Sequence, residues 1–103
     1  MHYKRLGNSG LIVSDLGLGT MIFGEQGSRS TPSTEAIKMV HHFLDVGGNF
    51  IDTADVYAGG STEKIVGEAI KSRRDEVILA TKIRFPTSNR VNDAGLSLSL
   101  IHI

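Results

Sequence analysis

Three short apolar runs punctuate the chain, residues 15–20, 49–52 and 77–82, and each stretch between them is long enough for a helix and its loops. Strands alternating with helices in this way lie parallel in one sheet, joined by right-handed crossovers. Two architectures satisfy that order, a (β/α) barrel and an open doubly wound sheet. Both build their sites at the carboxyl edge of the strands, where Thr20, Asp52 and Lys82 end the three runs. The open dinucleotide-binding form asks for Gly-x-Gly-x-x-Gly after its first strand. Here Gly17 and Gly19 are followed by Ile22 in the third glycine's place, which favours the barrel.

Local signals fill in the rest. Gly7-Asn8-Ser9-Gly10 separates Tyr3-Lys4-Arg5-Leu6 from Leu11-Ile12-Val13, and glycine with asparagine supplies the positive φ of a tight turn, so a leading hairpin is expected. Thr31 offers a helix cap and Pro32 a first helical residue, where its missing N–H is harmless. Ala36, Ile37, Val40, Phe43 and Leu44 form one apolar stripe at helical spacing, ended by Gly47-Gly48. Ser61 is expected to cap a second helix with Ile65, Val66, Ala69 and Ile70 inward. Lys71, Arg73 and Arg74 follow at its carboxyl end, where cations complement the dipole. The expected fold is α/β, a partial (β/α)8 TIM barrel comprising a leading β-hairpin plus the first three strands and two helices. Three strands cannot close an eight-stranded barrel. The first and third would therefore expose unpaired edges, and the helices would cover one sheet face only, an aggregation-prone arrangement.

Composition narrows the partners. Eleven basic residues balance eleven acidic ones among 103, so no strong field would gather phosphate backbones or anionic lipid. Neither nucleic acid nor a membrane surface is an expected partner. No apolar stretch approaches the roughly 20 residues of a membrane helix, and Leu11-Ile12-Val13 is too short for the core of a secretory signal; a soluble protein is expected. The chain has no cysteine, which excludes disulfides and thiolate metal sites and suits a reducing, cytoplasmic setting. His41 and His42 do not suggest a metal, since adjacent helical side chains diverge by about 100° and no acidic cluster completes a shell.

The polar strand ends carry the chemistry. Asp52 and Lys82 come from neighbouring strands, roughly 5 Å apart by ordinary sheet spacing, and Tyr57 follows Asp52 closely enough to reach the same rim. A phenol ionises near pH 10 and becomes a better acid only when something stabilises its phenolate. Lys82 could do so, with Asp52 keeping the ammonium charged and oriented. Such a trio could donate a proton to a carbonyl oxygen that is receiving a hydride. Spacing alone also permits a plainer reading, in which Asp52 caps a strand end and Lys82 ends a strand facing water. Asp52 and Asp55 as a glycosidase pair is disfavoured, because such carboxylates usually come from different strands and lysine has no part in that reaction.

A resemblance weighs on that choice. Asn49-Phe50-Ile51-Asp52-Thr53-Ala54-Asp55-Val56-Tyr57, then Gly60-Ser61-Thr62-Glu63-x-x-x-Gly67, then Ala80-Thr81-Lys82 resemble the aldo-keto reductase pattern in content and order. Upstream, Leu6-Gly7-x-Ser9-Gly10-Leu11-x-Val13-Ser14-x-Leu16-Gly17-Leu18-Gly19-Thr20-Met21-x-Phe23-Gly24 looks like the opening of the branch that includes bacterial reductases and potassium-channel β subunits. The resemblance covers residues 1–97 and implies the amino-terminal part of a (β/α)8 barrel that reduces aldehydes or ketones with NADP(H). It maps three members of the family's catalytic tetrad onto Asp52, Tyr57 and Lys82. It also places Gly19, Thr20, Met21 and Asp52 against the nicotinamide end of the cofactor. The fourth member, a histidine, would follow a further helix and strand, and His102 comes too soon after the third run to serve. The substrate expected is a small-molecule carbonyl compound. The alternative within the resemblance is a cofactor-binding regulatory subunit without significant turnover.

Leu98-Ser99-Leu100-Ile101-His102-Ile103 departs from the pattern, which ordinarily continues with basic residues into a helix. The same six residues are what a commonly used transposase adapter encodes in one reading frame. Residues 98–103 are therefore expected to be foreign to the domain.

Overall fold

The computed structural model describes residues 1–24 and 27–98. Strands β1 (Tyr3–Arg5) and β2 (Ile12–Ser14) form the leading antiparallel hairpin, with Lys4 opposite Val13. Its turn closes through the Leu6 N–H to the Leu11 carbonyl at 2.9 Å, and Gly7 takes the left-handed conformation at φ 57° that glycine adopts without penalty. The chain then alternates β3 (Gly17–Gly19), α1 (Ser33–Asp45), β4 (Phe50–Asp52), α2 (Ser61–Ile70) and β5 (Ile78–Ala80). The last three strands are parallel, in the order β3-β4-β5. This is the α/β arrangement expected from the sequence, the opening of a (β/α)8 barrel.

The two helix starts differ from expectation, for backbone reasons. Pro32, with ψ 151°, is extended and precedes the helix instead of occupying its first turn. Thr31 before it is held extended, its N–H bonded to the Ile22 carbonyl and its own carbonyl to the Gly24 N–H. Ser61 is already helical at φ −63°, ψ −35°, so the cap position of α2 falls to Gly60 at φ 95°. The end of α1 follows the sequence signal. Gly47 (φ 95°) donates to the Leu44 carbonyl and Gly48 to that of Phe43, the paired bonds of a Schellman ending.

The two faces of the sheet differ. Ile51 is fully buried against α1 and α2 in a cluster with Phe23, Ala36, Val40, Leu44, Val66, Ala69, Ile70 and Val77. Each large member contributes about 1.5–3 kcal/mol by leaving water. Side chains alternate along a strand, so Phe50 and Asp52 turn to the opposite face. There Phe50 lies over Gly17, where an added Cβ would come within 3.1 Å of its ring. That face carries no helix among the described residues, and β3 and β5 each have one strand neighbour among them. Leu79, in register with Ile51, stays 37% exposed and outside the core cluster.

The hairpin is clamped to the sheet from below. Asn49 accepts the Ser14 N–H at 2.7 Å and donates its side-chain amide to the Ile12 carbonyl, while the Tyr3 hydroxyl donates to the Gly47 carbonyl at 2.6 Å. On the outer surface His41 meets the Ala69 carbonyl at 2.8 Å, linking the two helices. Arg73 donates to Glu76 and Asp45; these bonds, Glu76 foremost, raise its pKa, and the Arg73 bond lowers that of Glu76. No described helix is long and apolar enough to cross a membrane. Of the tail singled out in the sequence, residues 99–103, including His102, lie outside the described residues.

Candidate active site

Asp52 ends β4 in register with Ala80 of β5, so Lys82, two residues further along the same face, reaches back to it. Pairing continues past the regular strands, with the Thr53 N–H bonded to the Ala80 carbonyl at 2.8 Å and the Asp55 N–H to that of Lys82 at 3.2 Å. This extension fixes the two strand ends relative to each other. The Lys82 ammonium donates to Asp52 Oδ2 at 2.7 Å, to the Thr53 carbonyl at 3.0 Å and to the Tyr57 hydroxyl at 3.2 Å. An ammonium has three donors, and these three bonds engage all of them. The Asp52 carboxylate raises the Lys82 pKa, assisted by the Tyr57 hydroxyl and opposed by partial burial.

Tyr57 owes its place to an unusual turn. Ala58 (φ 49°, ψ 38°) and Gly59 (φ 62°, ψ 27°) are both left-handed, a conformation that costs an alanine roughly 1–2 kcal/mol. The turn reverses the chain between Tyr57 and α2 and leaves the phenol beside the ammonium.

The remaining rim residues divide by role. Thr20 is fully buried, and its hydroxyl donates to the Asp52 carbonyl at 2.8 Å; it ties the end of β3 to that of β4 and offers no side-chain surface. Gly19 is exposed, with nothing within 4 Å of an added Cβ, and Met21 is 56% exposed. Open space therefore lies over the rim beside Asp52. Glu63 and Thr81, on the helix side, are joined by a 2.6 Å bond from the Thr81 hydroxyl. Sequence reasoning missed the Thr53 carbonyl, and no residue signal could have revealed it, since every residue carries such an acceptor.

Residues 15–100 match the sequence profile of the Aldo/keto reductase family. The chain belongs to that family. It is 42% identical over 95 residues to an uncharacterized oxidoreductase of Bacillus subtilis, YqkF, covering 92% of this chain and 28% of the relative. It is equally 42% identical over 101 residues to a protein of Oryza sativa named as a probable voltage-gated potassium channel subunit beta, covering 94% and 29%. Among solved structures, the holo form of an aldo-keto reductase from Bacillus halodurans superposes with a TM-score of 0.72 at 41% identity, covering 87% of this chain and 29% of that one. The chain thus spans less than a third of the length of these aldo/keto reductase relatives.

Proposed function

We propose that this chain carries the proton-donating part of an oxidoreductase site that reduces an aldehyde or ketone to an alcohol with NADPH, within a longer barrel of which residues 1–97 are the amino-terminal part. The observation that carries the reading is the Lys82 ammonium held by Asp52 and touching the Tyr57 hydroxyl. Because Lys82 donates to the phenolic oxygen, the Tyr57 proton is left to point at a substrate. Negative charge that develops on that oxygen as the proton departs meets the ammonium directly. Asp52 keeps the ammonium charged, and Thr20 holds Asp52 in place through its carbonyl.

The rim fits the nicotinamide end of a dinucleotide. The open space at Gly19 and the exposed Met21 side chain would take the ring, and the partly exposed Asp52 carboxylate would accept from ribose hydroxyls. When bound, the reduced cofactor supplies a hydride to the carbonyl carbon. Tyr57 supplies the proton to the carbonyl oxygen, which completes the alcohol.

The test is NADPH absorbance in the full-length protein with a panel of aldehydes and ketones. Oxidation of NADPH is expected. Tyr57→Phe should slow the chemical step by about 10²–10⁴ and leave cofactor affinity nearly unchanged; unaltered turnover would remove Tyr57 from the mechanism. The Oryza sativa relative favours a second reading, a cofactor-loaded regulatory subunit, and cofactor binding without turnover would select it.

A further inference from the structure

The Asp52–Lys82 pair is too exposed to hold its own geometry. The two side chains are 40% and 51% exposed, and an ion pair so open to water is typically worth at most about 1 kcal/mol. A lysine side chain carries about 2 kcal/mol of rotamer entropy. One carboxylate contact would leave the ammonium free to swing about the Asp52 oxygen and off the phenol. A third, rigid contact is present. The Thr53 carbonyl, 3.0 Å from Nζ, belongs to a main chain pinned on both sides, by the Thr53 N–H to Ala80 and by the Asp55 N–H to Lys82. A parallel ladder directs a strand's carbonyls at its neighbour, so the backbone itself aims this acceptor at β5.

We propose that the Thr53 main-chain carbonyl is a positioning group: with Asp52 it fixes two of the three N–H bonds of Lys82 so that the third faces the Tyr57 oxygen. The inference rests on the reductase reading for its functional meaning, but its geometric content stands apart from it. Because the acceptor is main-chain, no side-chain substitution at position 53 removes it. Exchanging Ala54 for lactic acid does weaken it, since an ester carbonyl is a poorer acceptor than an amide, while every side chain is retained.

The experiment replaces Ala54 by lactic acid in the full-length protein and follows the Lys82 ammonium by ¹⁵N-resolved hydrogen exchange, with urea unfolding to verify that the fold is kept. In the unmodified protein the Lys82 ammonium should exchange slowly. In the ester variant exchange should accelerate about threefold, as for one weakened hydrogen bond, and turnover should fall with the cofactor KM unchanged. An unchanged exchange rate in a folded ester variant would overturn the proposal. Should the ester variant not fold, Asp52→Ala decides: a Lys82 ammonium that remains protected is held by Thr53, and one that exchanges as fast as the exposed Lys64 is not. If the protein turns over no carbonyl compound, the exchange data still test the carbonyl contact, so the two readings fail separately.

Discussion

Two buried threonines should respond in opposite directions to the same substitution. Thr62, fully buried at the start of α2, donates its hydroxyl to the Phe23 carbonyl at 2.7 Å, whereas the hydroxyl of Thr53, 2% exposed, is buried without a partner among the described residues. Valine is close in shape to threonine, and both are β-branched, so helix propensity changes little. Thr62→Val removes the donor and leaves a carbonyl stranded beside the buried Phe23 ring, at a cost of about 1–3 kcal/mol. Thr53→Val removes an unpaired polar atom and adds a methyl, which should stabilise by roughly 1 kcal/mol. The assay is urea unfolding of the full-length protein. With a denaturant slope of about 2 kcal/mol per molar, the midpoints should separate by roughly 1 M or more, one on either side of the parent. Shifts of the same sign would refute the reasoning, because they would mean that burial and pairing of the hydroxyl do not decide the outcome.

Glycine positions should discriminate between packing and site effects. In Gly48→Ala the new Cβ would press into the Phe43 ring carbons Cε2 and Cζ, and the backbone bond from Gly48 to the Phe43 carbonyl prevents easy retreat, so a loss of about 1–3 kcal/mol is expected in urea unfolding. Gly19→Ala meets nothing within 4 Å and should leave stability within about 0.5 kcal/mol while raising the KM for NADPH; an unaltered KM would take Gly19 out of the cofactor site. For pH, the folded-state pKa of Lys82 lies above its unfolded value. Its stabilising contribution is therefore complete below about pH 10.4 and lost as the pH rises through the higher folded value. The stability gap between the parent and Lys82→Met should be constant from pH 8 to 10 and close above that; a gap already closing at pH 8 would contradict the raised pKa.

The parts of the fold legible in the sequence are those set by side-chain pattern. The stripe of Ala36, Val40 and Leu44 and that of Val66, Ala69 and Ile70 are the buried faces of the two helices, because a period near 3.6 survives any detail of the ends. Parallel strands follow from the alternation of apolar runs and helices, and the barrel order from Ile22 standing where the doubly wound fold wants a glycine. What failed was set by main-chain hydrogen bonds that residue identity does not encode. Thr31 looks like a cap but is claimed by Ile22 and Gly24, which pushes the start of α1 beyond Pro32. Ser61 looks like a cap but is preceded by left-handed residues that give the role to Gly60. In the candidate site, spacing alone leaves Asp52 and Lys82 open to a plainer reading as a strand cap and a solvent-facing strand end, and the resemblance to the aldo-keto reductase pattern is what singles them out together with Tyr57. Thr20 reads there as a rim contact, and only the structure shows its hydroxyl committed to Asp52.

The three bonds on the Lys82 nitrogen have a consequence for chemical durability. A free amine attacks aldehydes through its lone pair, first to a carbinolamine and then to an imine, and an enzyme that concentrates aldehydes near a lysine risks inactivating itself. In Lys82 the lone pair is closed off by the extra proton, which Asp52 helps to retain, and each N–H is engaged, so the nitrogen is no nucleophile while the tripod holds. Exposed Lys64 in α2 and Lys71 at its carboxyl end have no such bonds to their side-chain nitrogens among the described residues. Under prolonged aldehyde and borohydride treatment, mass spectrometry should find those lysines alkylated well before Lys82; early labelling of Lys82 would show the tripod to be loose. On the reductase reading proposed above, the bonds that would steady the proton donor would also make the Lys82 amine inert towards the aldehyde being reduced.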